Sequence, residues 1–305
     1  MAPQAVAADQ WTARRQRAVE LAERWPFAAE VLGFYAVLLD AQAAAYEAAQ
    51  GQLPLVGSDP GGSPASAPDL ARTAAYIVER SLPRVREVTL ARGTGALRQA
   101  VAEDRPADDW DARVRGWLAG EALPAIDLFL VRAAAGPVLE ALGPAAGGVC
   151  AGPRDERHCP HCGGRPQVSV FVPSGEDLVA PRRYLECSRC AARWPFGRMV
   201  CAGCGEQDTK QLPIFAEEGT GEVEATGSVV RGTGNAPGAP VRAGGARFPH
   251  LSIHACRTCA QYLLNVDLTR DGRAVPVVDE LSAIPLDLYA REQGLTKVVP
   301  NLMGL

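Results

Sequence analysis

The spacing of the cysteines constrains this chain more than any other feature of its sequence. Eight of the nine cysteines form four Cys-x-x-Cys pairs, and none of the nine precedes residue 150. Two intervening residues let one tight turn direct both sulfurs toward one ion, while backbone N–H groups hydrogen-bond the thiolates. One such pair alone is a weak indication, but four in this short stretch strongly predict metal sites. The pairs are Cys159/Cys162, Cys187/Cys190, Cys201/Cys204 and Cys256/Cys259.

The residues that follow each pair indicate how the pairs combine. Gly163 and Gly205 follow the first and third pairs, and Ala191 and Ala260 follow the second and fourth. An aromatic residue comes soon after each alanine, Trp194 and Tyr262. This alternation predicts a tandem repeat in which a glycine knuckle, a β-hairpin and an alanine knuckle follow one another.

The repeat assigns the ligands to two sites. The first site consists of Cys159, Cys162, Cys187 and Cys190, and the second of Cys201, Cys204, Cys256 and Cys259. The gaps between their pairs hold 24 and 51 residues, enough for a hairpin in each case. The alternative pairs 187/190 with 201/204 across only ten residues.

Each site is expected to hold one Fe or Zn ion, since tetrahedral thiolate sites accept either metal. The ions either hold the small modules in shape or, with iron, change redox state. Four protein ligands leave no open coordination position, so metal-assisted hydrolysis is not expected. The neighbouring residues His158 and His161 are interpreted as bystanders, and Cys150 as a buried or free thiol.

No catalytic constellation is recognisable elsewhere in the sequence. His250 and His254 are interpreted as surface residues of a strand. We find no phosphate-binding glycine loop and no nucleophile with a paired base. The sequence therefore favours a protein that is not an enzyme, with no catalytic residues and no cofactor beyond the two metal ions.

The two halves of the chain differ in their pattern. Helical periodicity predicts helices from Trp11 with Asp9 as cap, over 25–50, from Asp69 to Glu79, and over 83–104, 107–119 and 122–142. Loops are predicted over 52–68 and 143–158. Short β-rich runs follow at 167–172, 182–187, 211–218, 250–256 and 261–268, then a flexible loop at 219–249 and a last helix at 279–294 that Pro285 interrupts.

The predicted fold class is α+β, with an N-terminal α-helical domain, two tandem four-cysteine modules of zinc-ribbon-like or rubredoxin-like type, and a C-terminal helix. The predicted boundaries are 1–148 for the helical domain, 149–198 for the first metal module, and 199–305 for the second.

Charge and composition narrow the classes of partner. The chain has 305 residues, 47% of them hydrophobic and 22% charged, and a formal net charge of -4. Residues 149–305 contain 17 basic and 17 acidic side chains, and each divalent four-thiolate site adds about two negative charges. A nucleic-acid partner is therefore not expected.

The N-terminal sequence favours a cytoplasmic protein. It lacks the apolar core of a secretory signal, and Arg14–Arg15 is interpreted as part of a solvated helix face. No apolar run approaches 18 residues, so no membrane span is expected.

The order of several segments resembles the FdhE family of formate dehydrogenase accessory proteins. The segments are RWPFAAEVLGFYAVLLDAQ (24–42), HCPHCGGRP (158–166), YLECSRCAARWPFGRMVCAGCG (184–205), HACRTCAQYL (254–263) and VVDELSAIPLDLYAREQG (277–294). The resemblance implies a helical domain followed by two rubredoxin-like modules, iron in their sites, and the eight paired cysteines as ligands. Residues 222–247 depart from the family pattern and look like an insertion.

The resemblance also implies a function. It suggests a cytoplasmic accessory protein that is required for active respiratory formate dehydrogenase and binds the catalytic subunit before export. Two alternatives remain open from the sequence: a zinc-ribbon nucleic-acid binder, and a rubredoxin-like redox carrier.

Overall fold

The computed structural model describes residues 3–53, 68–103, 109–174, 180–217, 230–233 and 246–304. The chain forms two compact units. The first comprises Met1–Gly164, Arg189–Ala192 and Leu302–Gly304, and the second comprises Arg165–Ser188 and Arg193–Asn301. The division into 1–148, 149–198 and 199–305 stays a prediction.

The first unit is helical, as the sequence predicts. Its helices are α1 (Pro3–Arg24), α2 (Ala29–Gln52), α3 (Leu70–Tyr76), α4 (Leu82–Arg92), α5 (Gly95–Glu103), α6 (Trp110–Leu118) and α7 (Ala125–Leu142). A π-helical turn, Ile77–Ser81, joins α3 to α4, and a 3-10 segment, Gly143–Gly148, follows α7.

Asp69 caps α3 through the backbone N–H groups of Ala71 and Arg72. The first helix begins well before Trp11, so the cap predicted at Asp9 was wrong. The predicted loop over 52–68 lies almost wholly outside the described residues.

Helix α7 is the buried centre of this unit, and a proline lies inside it. Pro137 has no N–H, which frees the carbonyl of Ala133 four residues earlier. The side-chain amide of Gln42 donates to that carbonyl at 2.9 Å, and the hydroxyl of Ser81 donates to the neighbouring carbonyl of Ala134 at 2.7 Å. Two buried polar side chains from other helices therefore satisfy the backbone of the interrupted helix.

The two neighbouring arginines of α1 have different environments. Arg14 is only 4% exposed and makes a two-pronged ion pair with Glu140, with both N···O distances at 2.9 Å. Its guanidinium also lies over the ring of Trp11. Arg15 is exposed and pairs with Asp40. The interpretation of both as a solvated face was therefore wrong for Arg14, because Glu140 lies too far along the chain for sequence spacing to reveal it.

One described helical segment, Pro26–Gln52, is long and apolar enough for a membrane span by length and composition, with a mean hydropathy of 1.3. The expectation that no such stretch exists was therefore wrong. Nearly half of that window is buried in the protein, and α2 packs against α1 and α7. A core helix of a globular protein has the same composition, so this single helix is weak evidence for a membrane.

The second unit is built on one twisted sheet. Its strands are β1 (Pro166–Val172), β2 (Arg182–Cys187), β3 (Arg193–Pro195), β4 (Ile214–Glu217), β5 (Val230–Thr233), β6 (Leu251–Cys256), β7 (Gln261–Asp267) and β8 (Thr296–Lys297). The order is β3-β2-β1-β7-β6-β4-β5, with β8 paired to β7. The five predicted β-rich runs are confirmed as strands. The short strands β3 and β8 were not predicted, because two or three residues carry no readable alternation.

The sheet contains the predicted repeat. Strands β1, β2 and β3 are antiparallel neighbours, and β4, β6 and β7 repeat that arrangement. Strand β1 then pairs with β7 in parallel, Val168 opposite Leu264 and Val170 opposite Val266. The two hairpin modules therefore share one continuous sheet, which confirms the α+β class and adds a connection that the sequence did not predict.

The longer gap of the second repeat contains an added strand. Strand β5 pairs with β4 and lies within the stretch predicted as a loop, most of which is outside the described residues. The buried carboxylate of Glu217 at the end of β4 accepts hydrogen bonds from the backbone N–H groups of Arg247 at 2.7 Å and Phe248 at 3.0 Å. These bonds hold the residues just before β6 against the end of β4. Phe248 is itself buried there.

The C-terminal tail forms two helices, α8 (Pro276–Ser282) and α9 (Ile284–Glu292), which separate next to Pro285 as predicted. A buried polar network connects them to the sheet. Lys297 lies 2.7 Å from Glu280 and 3.1 Å from Asp287, and the hydroxyl of Tyr262 donates to Asp287 at 2.7 Å. Burial raises the pKa of Glu280, while the ammonium of Lys297 acts in the opposite direction.

Lys297→Met should lower the free energy of unfolding by about 3 kcal/mol or more, because it leaves two buried carboxylates without their cation. Lys210→Met is the matched control, since Lys210 is exposed, and should change stability by no more than about 0.5 kcal/mol. Urea unfolding of metal-loaded protein followed by circular dichroism measures both. Equal effects of the two substitutions would contradict the role given to Lys297.

Candidate metal centres

The structure brings the eight paired cysteines together in the two predicted sets. The first set is Cys159, Cys162, Cys187 and Cys190, and the second is Cys201, Cys204, Cys256 and Cys259. Within each set the sulfur atoms all lie within 4.8 Å of one another. The alternative combination of 187/190 with 201/204 is not formed.

The knuckle backbones explain the glycine and alanine pattern. Among the described residues, Ala191 and Ala260 are the two non-glycine residues with positive φ, at 53° and 52°, and Gly163 and Gly205 have φ of 68° and 85°. The left-handed conformation after the second cysteine turns the chain back over the site. Alanine adopts it only at an energetic cost, typically about 1–2 kcal/mol.

The two glycine knuckles also share their hydrogen bonds. In the first, the N–H of Gly163 donates to the carbonyl of Cys159 at 2.9 Å, and the N–H of Cys159 donates to the carbonyl of Gly164 at 2.8 Å. The second has the same two bonds at the same distances, from Gly205 to Cys201 and from Cys201 to Glu206. The repeat in the sequence is therefore a repeat of backbone geometry.

The sulfur separations fit a tetrahedral ion. Four sulfurs about 2.3 Å from one metal lie about 3.8 Å from each other. The measured separations are 3.6 Å for Cys159–Cys190, 3.8 Å for Cys201–Cys259 and 3.7 Å for Cys204–Cys256. These distances far exceed the length of a disulfide bond, about 2.05 Å. Both sets of cysteines could therefore hold a metal ion.

Burial distinguishes the two sites. The four cysteines of the first site are buried, at most 3% exposed. In the second site Cys204 is exposed and Cys259 is half-buried, while Cys201 and Cys256 are buried. Solvent and other molecules therefore reach the second set of thiolates but not the first.

The thiols of the second site have pKa values that are shifted in different directions. Burial raises the pKa of Cys201, although the N–H groups of Cys204 and Gly203 act in the opposite direction. Burial also raises the pKa of Cys259. At Cys256 burial is outweighed by hydrogen bonds from the N–H of Cys259 and from the neighbouring thiols, which lower the pKa. Metal binding must displace the remaining protons, so affinity falls with decreasing pH.

His158 and His161 lie next to the first site in sequence but outside its four-cysteine set. His158 contacts Asp155 through its Nδ1 at 2.7 Å, and four cysteines complete the site without it or His161.

Cys150 is buried outside both sets, and burial raises the pKa of its thiol to about 12. That thiol is therefore neutral at physiological pH.

The interpretation of the other two histidines as surface residues was wrong for His250, while His254 is half-buried. His250 is buried, and its Nε2 lies 2.9 Å from Asp279. With Asp271 these residues form a third grouping of possible ligand atoms, but Asp279 also accepts from the N–H of Val275 and Asp271 from that of Arg273. His254 packs edge-on against Phe171, and burial holds its pKa well below the usual range.

A buried arginine beside the second site was missed from the sequence. Arg183, on β2, lines a cavity of about 40 Å³ together with Cys201, Gly203, His254 and Arg198. Burial lowers the pKa of Arg183 to about 10, and the thiolate of Cys201 acts in the opposite direction. No sequence signal identifies this residue, because it belongs to the first repeat and lies near the ligands of the second.

Chelator should remove metal from the loaded protein in two phases of equal amplitude, the faster one from the exposed second site. Cys204→Ser should abolish the fast phase, and Cys162→Ser the slow one. The measurement is release of Zn²⁺ to excess 4-(2-pyridylazo)resorcinol, followed by absorbance. A single phase in the unmodified protein, or loss of the slow phase in Cys204→Ser, would contradict the assignment.

Comparison with known proteins agrees with this geometry. Residues 158–198, which contain the first site, match the family model described as FdhE, central domain. A "Protein FdhE homolog" of Aquifex aeolicus (strain VF5) is 30% identical over 149 residues, which are 49% of this chain and 42% of that protein. One from Pseudomonas aeruginosa is 27% identical over 145 residues, 48% of this chain and 38% of that protein. The matched segments thus span less than half of these relatives.

A solved structure extends the similarity to the fold of nearly the whole chain. The crystal structure of the FdhE protein from Pseudomonas aeruginosa aligns with a TM-score of 0.58 at 22% identity, over 97% of this chain and 95% of that one. At this identity the alignment shows the fold alone. The chain is thus similar to FdhE proteins in its central segment with the first four-cysteine set, in about half of its sequence and in its fold, and the resemblance to the FdhE family predicted from the sequence is confirmed.

Proposed function

We propose that this protein is a cytoplasmic accessory factor, not an enzyme, that binds the catalytic subunit of a respiratory formate dehydrogenase before export and is required for its activity. The observation that carries the proposal is the pair of complete four-thiolate sites in a chain whose first site matches the FdhE central domain. Similarity to FdhE homologues over about half of the chain supports the proposal.

The chemistry of the sites supports a role in binding. Four cysteines complete a tetrahedral shell, so neither ion has an open position for a substrate or a water. Cys150, which could act as a nucleophile, is buried with a raised pKa. These residues therefore favour a client-binding protein.

The metal ions have a structural role in this proposal. Each is Fe or Zn, held by the cysteines of one repeat, and each closes a hairpin module that is too small to bury a core of its own. We propose 1–148, 149–198 and 199–305 as the helical domain and the two metal modules. The sheet shared by the modules supports treating them as one client-binding scaffold.

The tagged chain should retain the formate dehydrogenase catalytic subunit from cytoplasmic extract, and the double variant Cys159→Ser/Cys162→Ser should lose it. The reason is that removing two ligands opens the first site and its hairpin. Cys150→Ser is the matched control, since Cys150 is a buried cysteine outside both sites, and should retain the client. Immunoblotting of the eluates measures all three.

The same proposal predicts the result of deleting this protein. A strain without this protein should lose respiratory formate dehydrogenase activity and regain it with the unmodified chain. Normal activity in the deletion strain would overturn the proposed function, whatever the outcome of the binding assay.

A redox carrier is the second candidate function, and the exposure of Cys204 favours it. An electron can reach an ion whose ligands contact solvent more readily than one that is fully enclosed. This function requires iron, because zinc has no redox chemistry at such a site.

Purification without oxygen should give two metal ions per chain, and their identity separates these functions. Iron with a visible thiolate charge-transfer band that bleaches on reduction supports electron transfer. Two zinc ions per chain would exclude the redox role and leave the accessory function intact. Elemental analysis with absorption spectroscopy makes the measurement.

A further inference from the structure

Arg183 is a buried cation whose described hydrogen-bond partners are all neutral. Its side chain is 5% exposed. Its Nε donates to the hydroxyl of Ser169 at 2.8 Å, and its Nη1 donates to the carbonyls of Gly197 and Val200, each at 2.9 Å. The ring of Phe196 lies on one face of the guanidinium. These contacts give partners to Nε and Nη1 but do not neutralise the charge.

A buried charge normally has an opposite charge beside it, because removal from water costs several kcal/mol per ion. Arg14 follows this rule through Glu140. Within the described part of the chain, no carboxylate lies within ion-pair distance of Arg183. Among the described residues, its compensating charge must therefore come from another kind of group.

A second cation lies close to the first. Arg198 lies over the ring of Phe171 and donates to the carbonyl of Pro181 at 2.8 Å. No described carboxylate pairs with it either. Both arginines line the cavity that Cys201 and Gly203 of the second site also line. Two positive charges therefore face one side of that site.

A loaded second site supplies the missing negative charge. Four thiolates around one divalent ion carry a net charge of about minus two, which equals the charge of the two arginines in magnitude. A free anion in the cavity is the competing source, but a loaded site leaves no surplus positive charge for it. The charge of the metal complex is opposite in sign to that of the two arginines, equal to it in magnitude and located beside the same cavity. These three properties favour the metal complex as the counter-ion.

We propose that Arg183 is a positioning residue for the second metal site, with the loaded metal–thiolate complex as its counter-ion. The inference rests on the proposal that this site holds a divalent metal ion. The charge of Arg183 stabilises the anionic complex. Its bonds to Gly197 and Val200 hold the segment that enters the knuckle at Cys201, so the same side chain orients the ligands.

Chelator competition on the full chain tests the proposal, with Co²⁺ as the probe because its thiolate complexes absorb in the visible. Arg183→Met removes the charge and keeps the aliphatic stem. It should lower the affinity of one of the two sites by about tenfold or more, the usual effect of losing a group that orients a ligand. Arg183→Lys keeps the charge and should lose less.

Arg182→Met is the matched control, because Arg182 precedes Arg183 on the same strand and is exposed. It should leave both affinities unchanged. Equal affinities in Arg183→Met and the unmodified chain would overturn the inference and leave the proposed function standing. Failure of the unmodified chain to bind metal would overturn both.

Urea unfolding with and without metal separates this role from a purely structural one. If Arg183 acts on the metal complex, Arg183→Met should reduce the stabilisation that metal adds. If both forms lose the same stability, Arg183 is only a hydrogen-bond donor and the inference fails. Arg183→Gln, which is neutral but still donates, replaces the methionine variant if that one does not fold, and the same two outcomes decide.

Discussion

The convergence of four cysteine sulfurs at each of two points is the constraint on which the two hairpin repeats depend. Each glycine knuckle and each alanine knuckle places two sulfurs at one end of a hairpin, and the hairpin alone buries too little apolar surface to be stable. Metal binding then couples the two ends of the hairpin. The strained φ angles of Ala191 and Ala260 fit this view, because a backbone penalty persists only where surrounding bonds determine the conformation.

The shared sheet connects the two repeats through one pair of strands. Strand β1 follows the first glycine knuckle and pairs with β7, which follows the last alanine knuckle. Tyr262 in β7 lies three residues after Cys259 and donates to Asp287 in the tail. The tail helices therefore attach to the strand that leaves the second site. This arrangement explains the Asp- and Leu-rich tail motif in physical terms, because its acidic residues accept hydrogen bonds inside the protein.

The sequence was most informative where the chemistry is local. The cysteine spacing, the glycine and alanine that follow it, and the alternation in β2 each depend on residues close together in the chain. For that reason the grouping of the cysteines into two sets, five of the strands and the start of a helix at Asp69 were predicted correctly. Several of the missed features depend on partners distant in sequence: Glu140 for Arg14, Gln42 for the carbonyl freed by Pro137, and Asp279 for His250. Periodicity shows which face of an element is apolar, but it does not show which polar side chain lies opposite.

The two sites occupy different environments, and this difference bears on their roles. The first has buried ligands and lies in the segment that matches the FdhE central domain. A buried tetrahedral ion exchanges slowly, which suits a structural role. The second has an exposed cysteine, Cys204, and a buried arginine nearby that pairs with no carboxylate among the described residues. An arginine that depends on the metal complex for its counter-charge makes the fold around this site sensitive to metal loading. Loss of the ion would leave Arg183 uncompensated beside Ser169 and the carbonyls of 197–200, and the segment between the two repeats would loosen first.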